Sequence, residues 1–236
     1  MKSPASLIFA ACFAGAVQHS GAVTLLSQNF DSDPVNYTNS PFAFQASDPT
    51  RYFGLSNAGM SLNPGVTGNS TVYLAAQNMD GDGDGTLTYS TSAPAFVNFT
   101  VSAAGYTDLR LSIDLAGMPT VEVENYVRMF EDVDGDGSYE SLIFNFVGSN
   151  NSPYTDVTLG ALSGAFANFS NIPLISPTAQ DGMLRVRLEI FNDTQSQNEA
   201  SGVDNILISG TVPEPAAALS GLLAVGALAL RRRRRA

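Results

Sequence analysis

The chain has few of the side chains that most enzymes use as nucleophiles or bases. Its 236 residues include one His, one Cys and no Trp. The single Cys12, His19 and Lys2 all lie within the first 20 residues. If this segment is removed, sites of the Ser-His-Asp, Cys-His, Lys Schiff-base and His-ligated zinc types are excluded, because each needs one of these residues. Carboxylate chemistry remains.

The N-terminal residues 1–22 predict a secretory signal peptide. Lys2 precedes an apolar run over 5–17 that is too short to span a membrane as a helix. Small residues at Ser20 and Ala22 fit a cleavage site, and we expect cleavage after Ala22. Cys12 leaves a lipoprotein signal as an alternative.

Positive charge is scarce between Val23 and Thr211. This segment has five arginines against 21 acidic residues, a net charge of −16. Such a surface repels nucleic acids and anionic membranes and attracts divalent cations, so we expect no nucleic-acid partner. Since no Cys remains to form disulfides, the fold must rely on its core or on metal ions.

Apolar and polar residues alternate in many short segments. The stretches TDLRLSIDLA (107–116) and MLRVRLEIF (183–191) place every second side chain on one apolar face, as half-buried strands do. Further strand candidates, separated by turn residues, are 23–30, 42–46, 71–77, 86–90, 96–102, 121–130, 139–147 and 203–209. Sustained helical periodicity is absent from this segment. The pattern predicts an all-β fold, an antiparallel β-sandwich of jelly-roll-like form.

Four short phrases carry a loose resemblance to known modules. They are FDSDPVNYT (30–38), STVYLAAQNMDGDG (70–83), LRLSIDLAG (109–117) and GVDNILISG (202–210). They resemble the extracellular jelly-roll modules of bacterial secreted proteins. The resemblance supports the sandwich and implies adhesion or glycan contact.

Two alternative functions rest on carboxylates and on aromatic rings. Glu122 or Glu124 together with Glu140 has the residue types that glycoside hydrolysis needs, but the alternation with Val121 and Val123 favours solvent-facing positions in an acidic sheet. Glycan binding typically uses exposed rings, and the candidates are Tyr52, Tyr126, Tyr139 and Tyr154. For Tyr126 and Tyr139 the strand patterns favour packing instead.

Two stretches match the D-x-D-x-D-G pattern of calcium loops. The first has Asp80, Asp82 and Asp84, and the second has Asp132, Asp134, Asp136 and Glu140. Alternate aspartates can direct oxygens towards a hard cation, while glycine permits the sharp bend. Both lack the final glutamate of an EF-hand, and an Asp-Gly hairpin turn is the alternative for each. The ninth-position Glu140 favours Ca²⁺ at the second stretch, whereas the two interpretations stand equal for the first.

The segment 212–236 has the composition of a sorting signal. Val212, Pro213, Glu214 and Pro215 cannot continue a strand, because the prolines lack backbone donors. An uncharged stretch over 216–230 follows, somewhat short of a membrane span. The basic residues that end it, and that favour a cytoplasmic location for this end, are Arg231, Arg232, Arg233, Arg234 and Arg235.

This order of motif, apolar helix and arginine cluster resembles the PEP-CTERM sorting signal of Gram-negative bacteria. The resemblance implies export through the general secretion translocon and a single-pass membrane precursor. It also implies cleavage near Val212–Pro215 by an exosortase, a membrane transpeptidase, in bacteria that make exopolysaccharide. The motif residues would be its substrate and would not be catalytic.

We therefore expect three parts: a signal peptide (1–22), a β-sandwich domain (23–211) and a sorting signal (212–236). The predicted function is that of a secreted, non-enzymatic protein of the cell surface or biofilm matrix, and exopolysaccharide is a predicted partner. The alternative is a carbohydrate-binding or adhesive module with a defined glycan. A carboxylate-dependent glycosidase ranks behind both.

Overall fold

The computed structural model describes residues 21–31, 37–44, 50–56, 72–79, 89–177, 181–193 and 199–213. The segment Ala22–Val212 forms one compact unit. Three predicted features lie outside the described residues: nearly all of the signal peptide, the tail from Glu214 onward, and the aspartates Asp80, Asp82 and Asp84. Among the residues described, no helix is long and apolar enough to cross a membrane.

Within these ranges the regular secondary structure consists of β-strands, without a helix. The strands are β1 (Ala22–Gln28), β2 (Tyr37–Asn39), β3 (Ala43–Phe44), β4 (Tyr52–Leu55), β5 (Leu74–Gln77), β6 (Ala95–Ser102), β7 (Thr107–Gly117), β8 (Tyr126–Asp132), β9 (Ser141–Ser149), β10 (Ser152–Asp156), β11 (Gly160–Ala161), β12 (Ala167–Pro173), β13 (Met183–Phe191) and β14 (Ala200–Thr211).

The strands form two seven-stranded sheets. Sheet 1 has the order β12-β7-β14-β5-β4-β3, and β1 also pairs with β14. Sheet 2 has the order β11-β10-β9-β8-β13-β6-β2. The pairings are antiparallel in both sheets. The predicted all-β class and antiparallel β-sandwich are thus confirmed.

The inner faces of the two sheets share one apolar core. In β13, Leu184, Val186 and Leu188 are buried, while the alternating Arg185 and Arg187 remain partly exposed. The buried residues of β13 join those of β7 in the same cluster. Removing each such aliphatic side chain from water contributes about 1.5–3 kcal/mol to the free energy of unfolding. The same alternation leaves the polar residues of β13 on the outer face of sheet 2.

The prediction of one strand over 121–130 is wrong in its first half. Strand β8 begins only at Tyr126. Before it, Val121 is buried but Val123 is 56% exposed, so the two valines do not share one apolar strand face. The loop packs closely against β9, where Gly148 donates its backbone N–H to Asn125 O at 2.8 Å.

Several short strands lack a sequence signal strong enough for prediction. They are β2, β4, β10, β11 and β12, which have two to seven residues. Of the predicted strand 86–90, the structure describes Tyr89 and Ser90, and Ser90 forms an isolated bridge to Ala93. The longer strands bury one apolar face each, and this is what made them predictable.

Candidate functional site

The second aspartate stretch (132–140), which we call the aspartate loop, connects β8 to β9. Asp132 ends β8 with its side chain fully buried, and its two carboxylate oxygens accept the backbone N–H groups of Gly135 and Gly137 at 2.7 and 3.0 Å. Both glycines have positive φ, 80° and 93°, a conformation that glycine adopts without a steric penalty. The loop is therefore a folded turn built on the carboxylate of Asp132.

The same loop gathers four carboxylates. Asp132, Asp134, Asp136 and Glu140 each place one carboxylate oxygen within 4.8 Å of those of the others. Ca²⁺ takes six to eight oxygen ligands at about 2.3–2.6 Å, so oxygens on one ion lie up to about 5 Å apart. The separation and the hard oxygen donors fit a calcium ion. Glu140 also accepts the backbone N–H of Val133 at 3.0 Å, which holds the ends of the loop together.

Glu131 lies beside this loop and was not predicted as a site residue. It is 1% exposed, and both of its carboxylate oxygens accept the backbone N–H of Ile175, at 3.0 and 3.1 Å. Burial raises the pKa of Glu131 to about 7, the Ile175 hydrogen bond opposes this shift, and the charge of Glu140 adds to it. Glu131 lines a groove of about 510 Å³ that also includes the exposed Leu142 and Val157.

The outer face of sheet 2 carries a second group of side chains, which we call the arginine face. It consists of Phe96, Tyr126, Arg128, Phe130, Tyr139 and Arg187. The strand order places β13 between β6 and β8. Arg187 therefore lies opposite Asn98 on β6 and Phe130 on β8.

Each of the two guanidinium groups contacts two aromatic rings. The Cζ atom of Arg128 is 4.1 Å from the ring centroid of Tyr126 and 5.2 Å from that of Phe130. The Cζ atom of Arg187 is 4.7 Å from the centroid of Phe96 and 4.1 Å from that of Tyr139. These distances lie within the range of cation-π attraction. Because Tyr139 belongs to the aspartate loop, the loop and the arginine face are in direct contact.

Glu189 lies between the two arginines. It accepts a hydrogen bond from Arg128 Nε at 2.9 Å and pairs with Arg128 Nη2 at 2.8 Å. Arg187 Nε donates instead to Asn98 Oδ1 at 2.8 Å, and Arg187 Nη1 lies 3.9 Å from Glu189 Oε1. One carboxylate thus faces two guanidinium groups, so Glu189 alone does not neutralise both arginines.

Two of the four candidate tyrosines are excluded as sugar platforms. Tyr52 and Tyr154 are fully buried, and their hydroxyls donate to Gln77 Oε1 and Asn192 Oδ1. Burial raises the pKa of the Tyr154 hydroxyl well above its usual value. Tyr126 is also buried, at 6% exposed: its hydroxyl donates to Thr91 O at 3.0 Å and its ring packs on Phe191, as its strand pattern predicted. Tyr139 remains partly exposed beside Arg187.

The residues considered for glycoside hydrolysis fall into two clusters. Glu140 belongs to the aspartate loop, whereas Glu122 and Glu124 form a cluster with Asp193. The buried Glu199, which sequence reasoning missed, accepts the backbone N–H of Glu122 at 2.9 Å and a hydrogen bond from Asn125 Nδ2. These contacts tie the loop before β8 to the start of β14.

Neither a family model nor a curated protein sequence matches the chain. Among solved structures, it is similar to the K3 cleaved adhesin domain of Lys-gingipain from Porphyromonas gingivalis, with 12% identity, a TM-score of 0.46, and coverage of 80% of this chain and 99% of that one. It is also similar to the CBM22-1 xylan-binding domain of Paenibacillus barcinonensis Xyn10C, with 11% identity, a TM-score of 0.43, and coverage of 84% of this chain and 99% of that one. A cyclase from Fischerella sp. TAU is similar with 14% identity, a TM-score of 0.44, and coverage of 81% of this chain and 99% of that one. At these identities and TM-scores, neither a ligand nor a reaction transfers to this chain.

Proposed function

We propose that this protein is a secreted, envelope-sorted component of the cell surface or extracellular matrix that binds carbohydrate through the arginine face. Its sandwich is, in this proposal, of the jelly-roll type. The observation that carries the proposal is the pair of guanidinium groups held against three partly exposed rings, Phe96, Phe130 and Tyr139, and against the buried ring of Tyr126.

The chemistry of the arginine face suits a sugar chain. Sugars offer apolar C–H surfaces and many hydroxyl groups, and binding sites for them combine flat apolar contacts with a few fixed polar groups. Arg128 and Arg187 provide N–H donors on planar groups, and their side chains are 30% and 28% exposed. Both therefore remain accessible to a ligand in solution.

A non-enzymatic role is part of this proposal. The segment between Val23 and Thr211 contains no His, Cys or Lys. The remaining chemistry would require a pair of carboxylates at a defined separation, and Glu140 belongs to a different cluster from Glu122 and Glu124.

Calcium is proposed as a structural ligand of the aspartate loop. The support is the convergence of Asp132, Asp134, Asp136 and Glu140. Since Tyr139 lies in this loop and contacts Arg187, an ion that orders the loop would also fix one side of the arginine face. Calcium at Asp80, Asp82 and Asp84 stays a prediction from the sequence.

Delivery by the C-terminal signal completes the proposal. Strand β14 ends at Thr211, immediately before the predicted motif, and Val212 is 48% exposed. An exosortase would need such an accessible segment at the end of the folded domain. The proposed partners are thus the translocon, the exosortase and, before cleavage, the membrane.

The function is tested by affinity electrophoresis of the mature protein in gels containing neutral or acidic polysaccharides. We expect at least one polysaccharide to retard the protein, and we expect Arg187→Ala to reduce the retardation while Arg110→Ala does not. Arg110 is a matched control because it lies in β7 of sheet 1, where it pairs with Asp108. Absence of retardation in every gel, or equal loss in both variants, would contradict the proposal.

A further inference from the structure

The few positive charges of the described domain are unevenly placed. Arg128, Arg185 and Arg187 all lie in β8 and β13 of sheet 2, although the segment between Val23 and Thr211 has only five arginines. Arg185 is held by an ion pair with Asp181. Arg128 and Arg187 share Glu189. The arginine face is therefore where the positive charge of this acidic domain is concentrated, next to the four carboxylates of the aspartate loop.

Arg187 has more N–H donors than its neighbouring acceptors use. A guanidinium group carries five such donors. Asn98 accepts the Nε–H and the Tyr139 hydroxyl accepts a further N–H, whereas the 3.9 Å between Nη1 and Glu189 Oε1 is beyond hydrogen-bond distance. A carboxylate can accept two parallel hydrogen bonds from one guanidinium group, which makes it the best-matched partner for the unused donors.

The surrounding rings prepare Arg187 for such a partner. Phe96 and Tyr139 both contact its guanidinium group, so less side-chain freedom is lost when a ligand binds. Partial burial also strengthens the attraction between opposite charges compared with that in bulk water. A hydrogen bond to a neutral sugar hydroxyl gains less from this environment, because charge-assisted hydrogen bonds are about twice as strong as neutral ones.

We propose that the carbohydrate recognised at the arginine face is an acidic polysaccharide, whose carboxylates pair with Arg187 and, next to it, with Arg128. This inference rests on the proposed function and names its ligand class. The acidic remainder of the domain repels such a polymer, and so does the aspartate loop beside the face unless calcium offsets its carboxylates. Binding therefore depends on direct contact with Arg187 and Arg128 and weakens as salt screens that attraction.

The test compares acidic polymers with their own neutral derivatives. Polygalacturonate, alginate and hyaluronan are each used intact and after chemical reduction of their carboxylates to primary alcohols, and affinity for the mature protein is measured by affinity electrophoresis. We expect at least one intact polymer to bind about tenfold or more tightly than its reduced form, as one charge-assisted contact allows. If each intact polymer and its reduced form bind with equal affinity, the proposal of an acidic ligand is overturned, while carbohydrate binding itself still stands. Absence of binding to all three intact polymers also overturns it, and neutral polysaccharides then decide the proposed function separately.

Substitutions locate the binding within the molecule. Arg187→Gln should weaken binding to the acidic polymer about tenfold, and Arg187→Lys should recover part of the loss because it keeps the charge but not the planar fork. Arg110→Gln lowers the net charge by the same amount from sheet 1 and should leave binding unchanged. Circular dichroism and the melting temperature verify folding of each variant. Equal loss in Arg187→Gln and Arg110→Gln overturns the assignment to this face.

Discussion

At the residue scale, Gly148 shows how closely the loop before β8 packs on sheet 2. A Cβ atom at this position would lie 1.7 Å from the backbone oxygen of Glu122. Since the clashing atom belongs to the backbone, the loop or β9 would have to move to accommodate any side chain. The loop is also held by Glu199 and Asn125, so movement here disturbs a buried polar network.

We therefore expect Gly148→Ala to lower the free energy of unfolding by about 1–3 kcal/mol or more, the range for overpacked sites. Urea denaturation measures the effect. Gly105→Ala is the matched control, because Gly105 has open space around it and its positive φ of 82° is its main constraint. If Gly148→Ala lowers the free energy of unfolding less than Gly105→Ala does, the loop before β8 can move to accommodate the added methyl group, which contradicts the prediction.

Individual side chains also mark the limits of sequence reasoning. The alternation in 183–191 predicted the bounds of β13 and the outward direction of Arg187 correctly. The ring contacts of Arg187 were not predictable, because Phe96 and Tyr139 come from distant segments that strand register and loop folding bring together. Tyr52 and Tyr154 carry no sequence signal of burial, since their strands are short.

At the scale of elements, the connection between β8 and β9 is both a turn and a carboxylate cluster. Asp134 Oδ1 and Asp136 Oδ1 accept the backbone N–H groups of Asp136 and Ser138 at 3.1 and 2.6 Å. Asparagine at both positions keeps oxygens that can accept these hydrogen bonds but removes two charges. This substitution separates the role in the turn from the role in cation binding.

Millimolar calcium should raise the melting temperature of the mature protein, and magnesium should do so much less. A ligand that binds only the folded state raises the free energy of unfolding by about 2.7 kcal/mol when its concentration is a hundredfold above its dissociation constant. We expect the Asp134→Asn, Asp136→Asn variant to fold without calcium and to lose most of this gain. If calcium raises the melting temperature of this variant as much as that of the parent protein, the stretch is only a turn and does not bind calcium.

At the scale of the whole molecule, the sandwich and its predicted ends have separate roles. Strands β7 and β13 followed from alternation, but the partners of each strand in the two sheets did not, because many antiparallel orders satisfy the same pattern. The sorting signal, by contrast, depends on local order in the sequence alone. Its function remains a prediction that processing of the protein can test.

The protein recovered from the native envelope should end near Pro215. Intact mass spectrometry measures this directly. Replacement of Arg231–Arg235 by serine should weaken retention of the precursor, because an uncharged end passes through the bilayer more readily. A surface form that still carries the five arginines would contradict transient anchoring.

The position of β14 has a mechanical consequence for a protein attached through its C-terminus. This 12-residue strand pairs with β5 and β7 through its first part and with β1 and β7 through its second. Traction applied along β14 from Thr211 therefore loads backbone hydrogen bonds on both sides of the strand at once. A domain held at this end while its other sheet binds a polymer would resist shear, since the loaded strand has paired neighbours on both sides and cannot peel away as an edge strand would.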